Sequence, residues 1–291
     1  MIGSNRFSRS SHGSSVDAMG AFQVNGAELC VETFGDPSDP AILLIMGAAA
    51  SMLWWEEDLC SRIAAGDRFV IRFDNRDTGR STTYPPGRPE YSFGDLARDA
   101  VGILDALGID RAHVVAQSMF GGVALILGVD HRDRVASLTF VSTSTGADDL
   151  PPPTGDFDLP APDFADRASV VEYVVQSAER EAGGSPYFDD QATRRLVEQD
   201  VARARNPEST MTNHFLARAD GPVGGGFGDI TAPTLVVHGD LDPLLPLAHG
   251  EALRDAIPGA ELLILEGCGH GVPRGLWDLF VPALIRHTSQ A

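Results

Sequence analysis

His113-Val114-Val115-Ala116-Gln117-Ser118-Met119-Phe120-Gly121-Gly122 holds both halves of an α/β unit in ten residues. The apolar run 113–116 suits a strand buried on both faces, as in a parallel sheet. From 119 to 129 the spacing predicts a helix. Ser118 therefore sits on a sharp strand-to-helix turn, which lifts a side chain out of the sheet and aims the following amide into the cleft. The helix N-terminus adds positive potential where an oxyanion would develop. A lone serine before a helix is usually only an N-cap, so its meaning depends on the rest of the chain.

Working outward, the same alternation repeats. Residues 23–34 read as a strand pair turning at Asn25-Gly26, which favours the positive φ of a tight hairpin. Runs 41–46, 69–73, 137–142, 234–237 and 261–265 read as strands. Segments 54–65, 93–107 and 276–286 have helical spacing, with Gly108 as a stop. Strands alternating with helices in this way imply a doubly wound, mostly parallel α/β sheet. The alternation lapses after the sixth strand, where Pro151, Pro152, Pro153, Pro160 and Pro162 precede helical segments at 168–181 and 190–205. The expected organisation is an α/β core over 21–145 and 228–291, a helical lid over 146–227, and a serine-rich disordered leader over 1–20.

Ligands and catalytic groups gather at the carboxyl ends of the strands in such sheets. Three ends carry chemistry. Ser118 follows 113–116, His238-Gly239-Asp240-Leu241-Asp242-Pro243 follows 234–237, and Glu266-Gly267-Cys268-Gly269-His270 follows 261–265. A serine hydroxyl needs a base to remove its proton. Histidine titrates near neutrality, and a carboxylate fixes its tautomer and stabilises its cation. His270 is the candidate base. Asp240 competes with Asp242 as the acid; Pro243 pushes Asp242 into an extended conformation at the loop end, which favours Asp242. His238 reads as structural.

The segments Leu43-Leu44-Ile45-Met46-Gly47, Arg72-Phe73-Asp74-Asn75-Arg76-Asp77-Thr78-Gly79-Arg80-Ser81, His113-Val114-Val115 and Gly269-His270 resemble the α/β-hydrolase subgroup containing aclacinomycin methylesterase. The resemblance runs from about Phe22 to His287 and is weakest across the lid. It implies an α/β-hydrolase fold, hydrolysis of a methyl ester on an anthracycline-type polyketide, and a triad of Ser118, Asp242 and His270. It also implies an oxyanion hole from the amides of Ala48 and Met119. Gly47, Trp54 and Phe120 are the candidate substrate contacts, one of Trp54 and Trp55 being expected in the pocket and the other in the core.

One departure stands out. The usual elbow is G-x-S-x-G, whereas this chain has Ala116-Gln117-Ser118-Met119-Phe120. The spacing from Ser118 to Asp130-His131 is unchanged, so Phe120 replaces a glycine, where strand and helix approach closely. Three outcomes stay open at this point: Phe120 reshapes the pocket, slows hydrolysis or redirects the chemistry. That leaves decarboxylation, lyase or acyl-transfer chemistry, or plain binding on a hydrolase scaffold, as alternatives to hydrolysis.

Composition narrows the partners. Of 291 residues, 22 are basic and 41 acidic, a net charge of −19, the reverse of what phosphate neutralisation needs. No nucleic-acid partner is expected, and no run is apolar for long enough to span a bilayer. All the basic residues are arginine, which excludes lysine-anchored cofactors. Cys30, Cys60 and Cys268 form no CxxC pair or zinc pattern, as suits a reducing cytoplasm. Asp156, Asp158 and Asp163 lack calcium-loop spacing. No cofactor or metal is expected, and the partner is a small apolar ester. Asp74, Arg76, Asp77 and Arg80 read as a salt-bridged loop bracing the sheet, since such networks imitate active sites. Cys268 reads as buried and inert.

Overall fold

Eight strands make a single sheet in the computed structural model, which describes residues 18–290. They are β1 (Ala18–Val24), β2 (Ala27–Phe34), β3 (Ala41–Ile45), β4 (Phe69–Phe73), β5 (Ala112–Gln117), β6 (Val135–Val141), β7 (Thr234–Gly239) and β8 (Glu261–Leu265), in the spatial order β1-β2-β4-β3-β5-β6-β7-β8. β2 runs antiparallel to both β1 and β4, and the remaining pairs are parallel. The β1–β2 turn is the Asn25-Gly26 pair, both at positive φ. The reversal of strand order beside β3 and β5 creates the crevice in which sheets of this kind hold ligands.

The eight helices of the described residues are α1 (Glu57–Ala64), α2 (Phe93–Leu107), α3 (Gly121–Asp130), α4 (Arg167–Glu181), α5 (Asp190–Arg203), α6 (Pro207–Leu216), α7 (Ala248–Ala256) and α8 (Trp277–Thr288). Side chains alternate across the strands. Leu43, Ile45, Val114 and Ala116 pack with α2 and α3 on one face. Ile42, Leu44 and Val115 pack with α1 and α8 on the other. β3 and β5 are thus apolar on both sides, which is why the sequence shows runs rather than alternation there. Ser92 starts α2 with a reciprocal capping box to Asp95, and Gly108 ends it in the left-handed conformation.

Helices α4, α5 and α6 fall between β6 and β7, with a small core of their own around Val170, Val175, Val197 and Val201. Several boundaries differ from the sequence expectations. β1 begins at Ala18, so residues 18–20 are strand rather than leader; the leader expected over 1–17 lies outside the described residues. The helix expected over 54–65 begins only at Glu57, because Met52–Trp54 makes a separate tight turn. The helix after Ser118 likewise opens as a tight turn over Ser118–Phe120 before α3. Two helices escaped the sequence reading. α7 is one. The other is α6, although Asn206 as N-cap and Pro207 in the first turn announce it.

Candidate active site

β5 delivers Ser118 at φ 54, in the left-handed region that a residue with a Cβ adopts only under constraint. The constraint is visible on two sides. Thr143 Oγ1 donates to the Ser118 carbonyl at 2.6 Å. Gly47 lies so close that a Cβ there would sit 3.2 Å from the Ser118 Cβ. The turn holds the hydroxyl clear of the sheet and against the loop that follows β8.

That loop carries His270. Its Nε2 lies 2.9 Å from Ser118 Oγ and its Nδ1 2.8 Å from Asp242 Oδ2. Asp242 Oδ1 accepts from the amides of Leu244 and Leu245 at 3.0 and 2.9 Å, which orients the carboxylate. The rival, Asp240, is exposed and accepts from the Gly267 amide instead. His238 is buried and hydrogen-bonds the Leu245 carbonyl, 3.5 Å from Asp242. Gly269 is required before His270 because a Cβ there would meet the Ala182 carbonyl oxygen at 2.3 Å. That close approach lets the His270 amide donate to the Glu181 carbonyl at 2.8 Å. Burial would lower the His270 pKa, but the hydrogen bond and charge of Asp242, helped by Glu181, outweigh it, and the net shift is upward. A hydroxyl, an imidazole and a buried carboxylate in this order can generate an alkoxide-like nucleophile.

Ser118 and His270 open into a cavity of about 690 Å³. The sheet side contributes Gly47, Ala48, Trp54 and Met119; α4 and α6 contribute Tyr173, Val174, Met211 and Phe215. The lining is mostly apolar, with Glu181 and Asp220 its carboxylates among the described residues. Neither carboxylate was anticipated from the sequence: Glu181 closes α4, where helical periodicity does not mark which polar residue faces inward, and Asp220 lies on the loop beyond α6. Ala48 and Met119 border the cavity beside Ser118, and the neighbouring Ala49 amide is already committed to His214 Nδ1 at 3.0 Å. Trp54 lines the cavity, with its indole N–H held by Asp200 at 2.9 Å, while Trp55 is buried in the core.

Phe120 requires a correction. Its ring does not line the cavity; it is fully buried behind Phe93, edge-on to that ring at 5.6 Å and to His214 at 4.8 Å. The tight opening turn sends its side chain toward α2 and α6, away from Ser118. The close approach falls one residue later, at Gly121, where a Cβ would lie 2.2 Å from Oγ1 of Thr143 on the loop after β6. Phenylalanine therefore fits without displacing the serine.

The charged loop after β4 is a framework. Arg76 pairs with Asp99 at 2.7 and 2.8 Å. Asp74 pairs with Arg203 of α5 at 2.8 Å. Asp77 accepts from Tyr91 and Asn213 at 2.7 and 3.0 Å. Cys268 is buried, its thiol pushed up to about 12 chiefly by that burial, which disqualifies it as a nucleophile. Among the described residues, no helix is long and apolar enough to cross a membrane.

The chain is 29% identical over 282 residues to a rhodomycin D methylesterase of Streptomyces sp. (strain C5), covering 89% of this chain and 94% of that protein. It is 27% identical to the rhodomycin D methylesterase of Streptomyces peucetius, with the same coverage. In fold it resembles the enol-lactonase from Burkholderia xenovorans LB400, with a TM-score of 0.74 at 20% identity over 93% of this chain and all of that one. Residues 40–273 match the family described as alpha/beta hydrolase fold, and the chain belongs to that family.

Proposed function

We propose that the protein hydrolyses a carboxylic methyl ester on a bulky apolar polycyclic substrate, through an acyl-enzyme on Ser118. The observation that carries this reading is the hydrogen-bonded series Ser118–His270–Asp242 opening into the apolar cavity. His270 takes the Ser118 proton as Oγ attacks the ester carbonyl, and the amides of Ala48 and Met119 hold the resulting oxyanion. The imidazolium, steadied by Asp242, then gives that proton to the methoxide oxygen as its bond to the carbonyl carbon breaks, and methanol leaves. Water activated by His270 releases the acid.

The substrate class rests on two supports. A cavity of about 690 Å³ is the size of a drug-like ligand site, and the sequence relatives are methylesterases of rhodomycin D. A diverted chemistry drew its support from Phe120 in the pocket, and with that ring facing His214 the support is gone. The test is incubation with a carboxymethyl polycyclic polyketide and mass analysis of the product. Loss of a single CH2 unit, matched by released methanol, is expected. An unchanged substrate, or a product that has also lost CO2 in an enzyme-dependent step, contradicts the reading.

Acid–base behaviour supplies a second check. Neutral His270 is the active form, so kcat/KM for an aryl ester will fall with acid at a midpoint above the ordinary imidazole value of ~6.5. Burial raises the pKa of Glu181 itself, and its ionised carboxylate favours the His270 cation. Glu181→Gln will therefore move that midpoint to lower pH and leave the alkaline plateau in place. A midpoint that does not move removes Glu181 from the electrostatics of the base.

A further inference from the structure

We infer that His214, on the last helix of the insertion, is a positioning residue that fixes the oxyanion segment after β3. The inference rests on the esterase reading and deepens it. Both ring nitrogens of His214 are committed: Nδ1 accepts from the Ala49 amide at 3.0 Å, and Nε2 donates to the Arg76 carbonyl at 2.7 Å. An amide can only donate and a carbonyl can only accept, so the contacts select the neutral Nε2–H tautomer. Burial works in the same direction, pushing the imidazole pKa down to about 4.

The contacts matter because of where they fall. Ala49 stands at φ 59, a left-handed conformation that a residue with a Cβ keeps only where its surroundings enforce it. Ala48, whose amide is assigned to the oxyanion, immediately precedes it. The other end of the clamp does not yield, because Arg76 is locked by Asp99 and by Tyr84 at 2.9 Å. The imidazole ring also meets the ring of Phe120, two residues beyond the nucleophile. One side chain of the insertion thereby ties together the loops after β3 and β4 and the turn after β5. Oxyanion donors act only when held in place before charge develops. His214 supplies that constraint from outside the sheet, and Phe120 packs against the ring.

The test compares His214→Phe and His214→Asn with wild type. Phenylalanine keeps a ring against Phe120 but accepts no hydrogen bond; asparagine loses the ring but offers a carbonyl oxygen near the Nδ1 position. Three readouts are needed: the rate of Ser118 labelling by a fluorophosphonate, kcat and KM for an aryl ester, and Tm. His214→Phe should lower the labelling rate and kcat by ~10- to 100-fold, less than outright loss of an oxyanion donor, with KM nearly unchanged. His214→Asn should recover most of that loss despite a lower Tm, a crossing that mere structural support would not produce. Labelling of His214→Phe at the wild-type rate, or labelling that simply follows Tm without rescue by asparagine, overturns the inference while leaving the nucleophile in place. A wild-type protein that never labels overturns the esterase reading, and this inference with it.

Discussion

Ser118→Ala will lose ester turnover by a factor on the order of 10⁶. The change deletes the one hydroxyl that His270 Nε2 reaches and leaves the surrounding scaffold as it was. Alanine meets the same steric demand at φ 54 that serine does, so the elbow keeps its shape and the unfolding midpoint should stay close to that of wild type. Residual activity of about 10³–10⁴ over water is still expected, because the oxyanion amides and the binding cavity remain. The check is kcat for an aryl ester beside a thermal melt. A folded variant that turns over within tenfold of wild type contradicts the assignment of Ser118.

Phe120→Gly will destabilise the fold, although it restores the residue usual at that place in the elbow. Phe120 is fully buried in the core shared by α2, α3 and the sheet. Removing a buried phenyl group costs about 3–5 kcal/mol, through lost transfer energy and the void left behind. Glycine at the mouth of a helix adds roughly 0.5–1 kcal/mol of backbone entropy. Nothing offsets this, since Gly121 already serves the close approach to Thr143. Urea unfolding should show a lower midpoint with an unchanged slope. A loss below about 1 kcal/mol would mean that the ring contributes little to the core and that Phe93 and His214 close over the space.

The legible part of the protein is the part where local pattern and global role coincide. β3, β4 and β5 show as apolar runs because both of their faces are buried, and the three candidate catalytic groups show because each lies within a few residues of a strand's carboxyl end. Phe120 misled because sequence gives its position next to Ser118 but not its direction; the tight turn over Ser118–Phe120 rotates it behind Phe93. Glu181 and His214 were invisible for a different reason. Their neighbours are distant in the chain: the Glu181 carbonyl meets the His270 amide, and His214 meets an amide 165 residues away. A helical insertion advertises its periodicity, but which of its polar residues reach into the cleft depends on how the helices dock. The missed α6 could have been found from Asn206-Pro207, whose cap geometry is local.

The central claim is that Ser118 is an activated nucleophile open to the cavity. It is tested most directly by treating the intact protein with a fluorophosphonate and locating the adduct by peptide mass spectrometry. One adduct per chain is expected, on the peptide holding Ser118, and it should disappear in Asp242→Asn and His270→Ala. An adduct on another residue, or no adduct on a folded protein, would contradict it.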